Sequence, residues 1–197
     1  LYWAIRGGGG NFGIVTNFEY QLHPVGPTVY MTGLMYPREE AKAVLRAWRE
    51  FMATAPDEIT SIAALWNVPA VHPIPEALWR RPILTIRSMY AGDADEGEKQ
   101  LQPLRKLAPA LLDTSGKVPY CALQRSMDQY FAKGDHLYYN KSTDLTSLDD
   151  EVLDEIIHYA ASAPTPESIF VFWAYGGAMG RVGADETAFG SRDVPCM

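Results

Sequence analysis

A run of glycines near the start of the sequence is the first feature that could do chemistry. Arg6 to Val15 reads RGGGGNFGIV, and Gly8 to Gly13 matches the spacing G-x-G-x-x-G. Glycines at this spacing cradle a dinucleotide pyrophosphate when a strand precedes them and a helix follows. The order is reversed here, because LYWAIR is helix-like and GIVTNFEYQL alternates as a strand does. The sequence therefore argues against a Rossmann site. It leaves open a structural turn, or main chain lying against a cofactor held by another part of the protein.

A second candidate is the aromatic segment IFVFWAY, from Ile169 to Tyr175. Trp173 and Tyr175 are two residues apart, so they share one face of a strand. Aromatic rings at such positions stack on ring-shaped substrates or fill the sheet's own core. The pattern by itself leaves both roles open.

The composition and charge of the chain argue against several classes of binding partner. The net charge is -7, and the densest basic spot is Trp79-Arg80-Arg81, which argues against a nucleic-acid partner because phosphate binding needs clustered cations. No apolar run approaches the roughly 18 residues of a membrane span, so no membrane partner is predicted. Cys121 and Cys196 form no CxxC pair and lie near no histidine at ligand spacing, so no metal site is predicted either.

The hydrophobic patterns predict an α+β fold. Period-two patterns predict strands at 14–22, 29–36, 59–68, 83–90, 136–145 and 169–175. Apolar residues at three- and four-residue spacing predict helices that begin after Pro37, at Asp93 and at Ser147, with a shorter helix at 123–131. Because these strands do not alternate regularly with helices, we expect an antiparallel sheet with helices packed on one face.

The glycine segment also carries a family resemblance. LYWAIRGGGGNFGIVTNFEYQLHPVG closely resembles the segment that closes the flavin-binding domain of berberine-bridge-enzyme-like oxidases, in the vanillyl-alcohol-oxidase flavoprotein superfamily. HLYYNKSTDL and YGGAMGRVGADETAFGSRD resemble later segments of that family more loosely. The resemblance implies an FAD-linked oxidase. Residues 1–25 would be a remnant strand of the FAD-binding domain, and 26–197 a substrate-binding domain that is incomplete at its C-terminus.

The resemblance also assigns site residues. The stretch that matches the family's flavin side implies main-chain contacts to FAD from Gly9, Gly10, Asn11, Gly13, Ile14 and Val15. An acidic residue at 183–187 acts as base in plant relatives, which implies Asp185 or Glu186 here. FGSR replaces the family's F-P-H-R, so Ser191 stands where many relatives have histidine.

The strand that faces the flavin in relatives matches Tyr138, Tyr139, Asn140 and Lys141. Side chains alternate along a strand, so only one of the two tyrosines can line the pocket. We take Tyr139 as a candidate catalytic residue. We assign Tyr138, Asn140 and Lys141 to substrate binding, together with Trp173 and Tyr175.

The implied reaction transfers a hydride from a C–H bond beside an alcohol or amine to flavin N5, while a tyrosine or carboxylate takes the proton. The substrate would be a small molecule, such as a sugar, alcohol, alkaloid or polyketide, and O2 the acceptor. The alternative is a non-catalytic small-molecule-binding or interaction module. We expect the 197-residue chain alone to be inactive. We also expect its first two dozen residues to lie loosely or against a neighbouring molecule, because the strand at 14–22 would lack its sheet.

Overall fold

The computed structural model describes residues 1–135, 137–190 and 192–197 and is built around one six-stranded sheet. The strands are β1 (Thr28–Pro37), β2 (Ile59–Asn67), β3 (Pro82–Tyr90), β4 (Leu112–Asp113), β5 (Gly116–Pro119) and β6 (Phe170–Trp173). The α-helices are α1 (Tyr2–Ile5), α2 (Ala41–Met52), α3 (Ala94–Leu101), α4 (Tyr120–Arg125), α5 (Asp150–Ala161) and α6 (Gly177–Gly180).

Every strand pair in this sheet is antiparallel. The order is β4-β1-β3-β2-β6, and β5 also pairs with β1. Ile86 of the central strand β3 lies opposite Leu34 of β1 and Ala63 of β2, and Ala63 lies opposite Phe172 of β6. The predicted α+β fold with an antiparallel sheet is confirmed.

The main core lies between one face of the sheet and the helices α2, α3 and α5. Trp48 of α2 is 1% exposed, and Leu84 and Ile86 of β3 are fully buried in the same cluster. The Trp48 indole donates a hydrogen bond to Ser61 Oγ (2.8 Å), which lies 2.8 Å from Ser88 Oγ. Because the indole and the two hydroxyls are partners of one another, these three buried groups incur little desolvation penalty.

The opposite face of the sheet is covered at one end and open at the other. Val68 and Ile74 of the proline-rich loop after β2 pack on Ile83, so this loop covers the first end. Arg87 lies on the same strand as Ile83, four residues later. Its guanidinium donates a hydrogen bond to Ser126 Oγ at the end of α4 (2.7 Å). At the β6 end Trp173 remains 47% exposed. The open part of this face is therefore the part that carries aromatic surface.

Two predicted strands are wrong. Residues 14–22 form no strand, and Ile14 and Leu22 are 94% and 80% exposed. Residues 137–144 form no strand either, although Leu145 makes an isolated antiparallel bridge with Cys196. Alternation indicates that a segment suits a sheet, but a strand also needs a neighbouring chain for its hydrogen bonds. His136, where the second prediction begins, lies outside the described residues.

The start of α5 also differs from its prediction. Asp149, and not Ser147, is the N-cap, and its carboxylate accepts a hydrogen bond from the Val152 amide (3.1 Å). Ser147 Oγ donates to that carboxylate (2.8 Å). These hydrogen bonds lower the pKa of Asp149, because both stabilise the charged form.

Candidate functional site

The glycines at the start of the chain form a tight corner between α1 and the exposed segment that follows, and we call residues 7–13 the glycine corner. Gly7, Gly9 and Gly13 have φ of 131°, 72° and 139°, which side-chain-bearing residues rarely adopt. A Cβ on Gly8 would lie 2.5 Å from the Ala4 carbonyl oxygen. The conformation of the corner therefore requires glycine at these four positions.

Gly10 is different. Its φ and ψ are -79° and 18°, which other residues also adopt, and among the described residues no atom lies within 4 Å of where its Cβ would be. The folded chain thus gives no steric or conformational reason for glycine there. Bare main chain at an exposed position is what close approach of a ligand requires.

The N-terminal helix and Gly7 pack on the segment from Gly183 to Gly190, which we call the acidic loop. The Trp3 indole donates a hydrogen bond to the Asp185 carbonyl oxygen (2.7 Å), and Arg6 donates to that of Glu186 (2.8 Å). A Cβ on Gly7 would lie 2.1 Å from the Phe189 nitrogen, so only glycine allows this approach. The expectation that the first two dozen residues lie loosely is therefore wrong for this part, while residues 14–22 are exposed as expected.

This packing brings the two predicted segments into contact at Gly7 and Phe189, while the backbone carbonyls of Asp185 and Glu186 accept hydrogen bonds from Trp3 and Arg6, just before the glycine corner. Both residues are exposed. The Glu186 carboxylate accepts a hydrogen bond from the Gly183 amide (3.0 Å), which fixes it within the loop. A hollow of about 450 Å³ lies beside the loop, and its lining includes Phe189 and Arg192. Ser191, the position of the replaced histidine, lies outside the described residues.

Tyr175 connects the acidic loop to the end of β6. Its ring lies 6.4 Å from that of Phe189, and its hydroxyl donates to Met197 Sδ (3.3 Å). Tyr175 is partly buried by these contacts, whereas Trp173 presents its indole on the open face. Of the two aromatic residues, Trp173 has the greater surface available to a substrate.

The remaining candidates lie in a second place. Tyr139 is 85% exposed, and Lys141 Nζ lies 5.7 Å from the centre of its ring. The Tyr138 ring lies 6.1 Å from that of Phe131. Because this segment is not a strand, alternation does not decide which of the two tyrosines faces a site.

Asn140 and Lys141 line a cleft of about 570 Å³ between residues 140–145 and β6, which we call the β6 cleft. Its other walls include Ile156 of α5, and Val171 and Trp173 of β6. The structure thus brings Asn140 and Lys141 to Trp173, and it brings the backbone of Asp185 and Glu186 to Trp3 and Arg6, just before the glycine corner. Within the described residues these are two separate groups.

Sequence reasoning missed Arg87. It is the charged residue in the otherwise uncharged strand ILTIRSMY, and its guanidinium lies on the partly covered face beside Ser126. Burial lowers the pKa of Arg87 because the surroundings disfavour its charge. A cation within an apolar strand was the available signal. The docking role of Trp3 had no comparable signal, because its partner is 182 residues away.

The structure describes residues 1–135, 137–190 and 192–197. Over that part of the chain, no group of three or more His, Cys, Asp or Glu residues is placed to hold a metal ion. None of the helices described there has the length and apolarity needed to cross a membrane.

No protein-family model matches the chain, but curated relatives do. The FAD-linked oxidoreductase YgaK of Bacillus subtilis is 28% identical over 199 residues, which cover 98% of this chain and 41% of YgaK. Glucooligosaccharide oxidase of Sarocladium strictum is 26% identical over 211 residues, covering 98% of this chain and 40% of that enzyme. The chain therefore spans about two fifths of the length of these relatives.

Solved structures decide the fold. A chitooligosaccharide oxidase matches with a TM-score of 0.68 at 20% identity, over 99% of this chain and 42% of its own. Berberine-bridge-enzyme-like protein 28 of Arabidopsis thaliana matches with a TM-score of 0.71 at 18% identity, over 99% and 41%. The chain has the fold of the berberine-bridge-enzyme-like oxidases. The resemblance inferred from the glycine segment is confirmed, and curated relatives such as YgaK are named as FAD-linked oxidoreductases.

Proposed function

We propose that this chain is part of an FAD-dependent oxidoreductase that oxidises an alcohol or amine of a small molecule, with O2 as the electron acceptor. The observation that carries the proposal is Gly10, an exposed glycine that the fold of the chain does not require. It lies in the segment whose sequence matches the flavin side of the family. The names of the curated relatives support FAD as the cofactor.

The described residues fit such a cofactor through main chain. Gly9, Gly10, Asn11 and Gly13 present an exposed turn, and Ile14 and Val15 follow it with 94% and 48% exposure. Asn11 donates its side-chain amide to the Gly8 carbonyl oxygen (3.2 Å), so its side chain holds the turn in shape. Backbone amides and carbonyls there are available to a nucleotide, and no side chain on Gly10 bars its approach.

When bound, FAD would supply the hydride acceptor N5 and pass the electrons to O2. This chain would supply the base that takes the hydroxyl or amine proton. Asp185 and Glu186 are the candidates beside the glycine corner, and Tyr139 is the candidate beyond the β6 cleft. We favour the acidic loop, because hydrogen bonds from Trp3 and Arg6 hold its backbone beside the segment that leads into the glycine corner.

The open sheet face would hold the substrate. Trp173 offers an exposed indole for stacking, and Tyr175 stands at the end of the same strand. Tyr138, Asn140 and Lys141 would provide polar contacts from the neighbouring segment. Glucooligosaccharide and chitooligosaccharide oxidases are among the relatives and structural neighbours, so we propose a carbohydrate as the first substrate class to test.

Peroxide formation by the full-length protein tests this proposal. We expect oligosaccharides to cause peroxide release in the presence of FAD. Asp185→Asn or Glu186→Gln should lower kcat/KM roughly 10²- to 10⁴-fold, the usual contribution of a general base. Glu155→Gln, an exposed carboxylate change on α5, is the matched control and should leave the rate unchanged. Full activity in both acidic-loop variants would show that neither Asp185 nor Glu186 is the base. Tyr139→Phe would then be the next variant to measure.

A further inference from the structure

Arg87 is the one charged residue in the four strands β1, β2, β3 and β6. Gly33 of β1 and Ile62 of β2 lie directly opposite it. Ile62 in turn lies opposite Trp173 of β6. Residues directly opposite one another share one face of an antiparallel sheet. Arg87, Ile62 and Trp173 therefore form a row across the partly open face.

This row places the cation within reach of a molecule that stacks on Trp173. Neighbouring strands lie about 4.8 Å apart, so two spacings place the main chains of Arg87 and Trp173 about 10 Å apart. The Trp173 indole is 47% exposed, and Ile62 between the two residues is partly buried. A small molecule that lies on the indole can therefore extend over Ile62 toward the guanidinium.

The internal partners of Arg87 are both neutral. Its guanidinium donates hydrogen bonds to Ser126 Oγ (2.7 Å) and to the sulfur of Met127, and a thioether is a weak acceptor. Within residues 1–135, 137–190 and 192–197, no aspartate or glutamate oxygen lies within 4 Å of this guanidinium. The described chain therefore holds the side chain in place without an anion beside its charge.

A partly buried cation without an anion carries a desolvation cost. Burial lowers the pKa of Arg87, because these surroundings disfavour its charged form. The hydrogen bond to Ser126 does not require the charge, since a neutral amide such as that of glutamine also donates to a hydroxyl. An anion bound on the open face would compensate the charge, and a neutral ligand would not.

The β6 cleft, on the other side of Trp173, carries the same sign of charge. Its lining includes Lys141 and, among the described residues, no aspartate or glutamate. Lys141 Nζ also has no carboxylate oxygen within 4 Å in that part of the chain. Although the net charge of the chain is -7, a cation therefore lies on each side of the exposed indole.

We propose that Arg87 determines substrate specificity by binding a carboxylate of the substrate, and that the substrate is an acidic sugar that carries a uronic carboxylate. A guanidinium and a carboxylate form two parallel hydrogen bonds, so a single negative charge is recognised at a fixed position. The sugar ring lies on the Trp173 indole, and its carboxylate lies above Ile62 toward Arg87. The inference rests on the proposed function, because it takes the open face as the place where the substrate binds.

Equilibrium binding to the full-length protein tests this role without turnover, with O2 excluded and the flavin chemically reduced. Glucuronate should bind at least about tenfold more tightly than glucose, because only the acid forms a charge-assisted bond. Arg87→Gln should abolish this preference by weakening the binding of glucuronate alone. Arg46→Gln removes the same charge from α2, on the helix side of the sheet, and should leave the preference unchanged. Equal affinity for the two sugars in the unchanged protein, or an equal loss for both in Arg87→Gln, overturns the proposal.

A second measurement uses the unchanged protein and does not depend on how the variants fold. The methyl ester of glucuronate keeps the sugar ring and removes the charge of the carboxylate. It should bind at least about tenfold more weakly than glucuronate. Equal binding of the acid and its ester would contradict a carboxylate contact.

Peroxide release separates this inference from the proposed oxidase. Peroxide from neutral and acidic sugars alike, without a preference in binding, would support the oxidase and overturn the role of Arg87. A preference for glucuronate that is lost in Arg87→Gln, without peroxide from any sugar, would support the role of Arg87 and contradict the oxidase.

Discussion

Gly10 is the residue on which the proposed cofactor contact depends. Its neighbours Gly7 and Gly9 are explained by positive φ, and Gly8 by its contact with Ala4. Glycine in an exposed turn carries an entropic cost relative to alanine. The proposed approach of a cofactor would explain why glycine is kept at a position where the described residues give no steric reason for it.

The substitution Gly10→Ala should separate folding from cofactor binding. Because alanine adopts the native φ and ψ without strain, we expect a stability gain of about 0.4–1 kcal/mol in urea unfolding. The full-length protein should bind FAD at least about tenfold more weakly, equivalent to 1.4 kcal/mol. Gly116→Ala in β5 is the matched control, since its Cβ also meets no atom within 4 Å among the described residues. Equal FAD affinity in the two variants would refute the main-chain contact.

The two cysteines should differ sharply in reactivity. Cys121 is exposed and Cys196 is buried, and burial raises the pKa of the Cys196 thiol from 9.0 to about 12. In the unfolded chain this thiol ionises near its ordinary pKa. The stability that comes from keeping it protonated is therefore present below about pH 9 and is lost as pH rises toward 12, by at most about 1.4 kcal/mol per pH unit.

Thiol labelling and alkaline unfolding measure this difference. A thiol reagent should modify Cys121 rapidly in the native protein and Cys196 only after unfolding. Between about pH 9 and pH 11 the urea midpoint should fall less in Cys196→Ala than in the unchanged chain. Rapid labelling of Cys196 in the folded protein would show that the end of the chain is not docked as described.

Among the elements, α1 and the acidic loop stabilise each other without a core of their own. No residue of α1 is buried, and its position depends on the hydrogen bonds from Trp3 and Arg6 and on the close contact at Gly7. Elements held by few contacts open at low free energy. This unit is therefore the part of the candidate site most open to disruption by a single substitution.

Gly7→Ala should detach this unit while leaving the core intact. The added Cβ would collide with the Phe189 backbone and would also strain a φ of 131°. We expect proteolytic cleavage within residues 183–190 to accelerate at least about tenfold, with an unchanged urea midpoint for the sheet. Gly134→Ala is the control, because it has a positive φ of 94° and no atom within 4 Å of its Cβ. An equal effect of both substitutions would show that backbone strain, and not docking, is responsible.

The individual strands and helices show how much of the fold can be predicted from the sequence. Helix α2 and strands β1, β2 and β3 are predicted near their observed bounds, because their patterns are long and their partners lie in the described chain. Residues 14–22 and 137–144 form no strand, because a side-chain pattern reports which face is apolar but not whether a second strand lies alongside. The pairing of Trp3 with Asp185 joins positions 182 apart, and local pattern cannot reveal such a contact.

For the whole molecule, the fold has one closed face and one partly open face. Helices α2, α3 and α5 close the first, whereas the second ends in exposed aromatic surface at Trp173, with the acidic loop and glycine corner beyond β6. The chain spans about two fifths of its relatives' length, so under the proposed function it would offer only part of a cofactor site. The remaining contacts would come from residues outside this chain, which is why we expect the 197 residues alone to be inactive.

A crystal structure of the full-length protein grown with FAD tests the central claim most directly. The account predicts that the nucleotide lies within van der Waals contact, about 4 Å, of the Gly10 main chain. The acidic loop should remain packed on α1 beside it. A nucleotide bound elsewhere, with the glycine corner in solvent, would contradict the account.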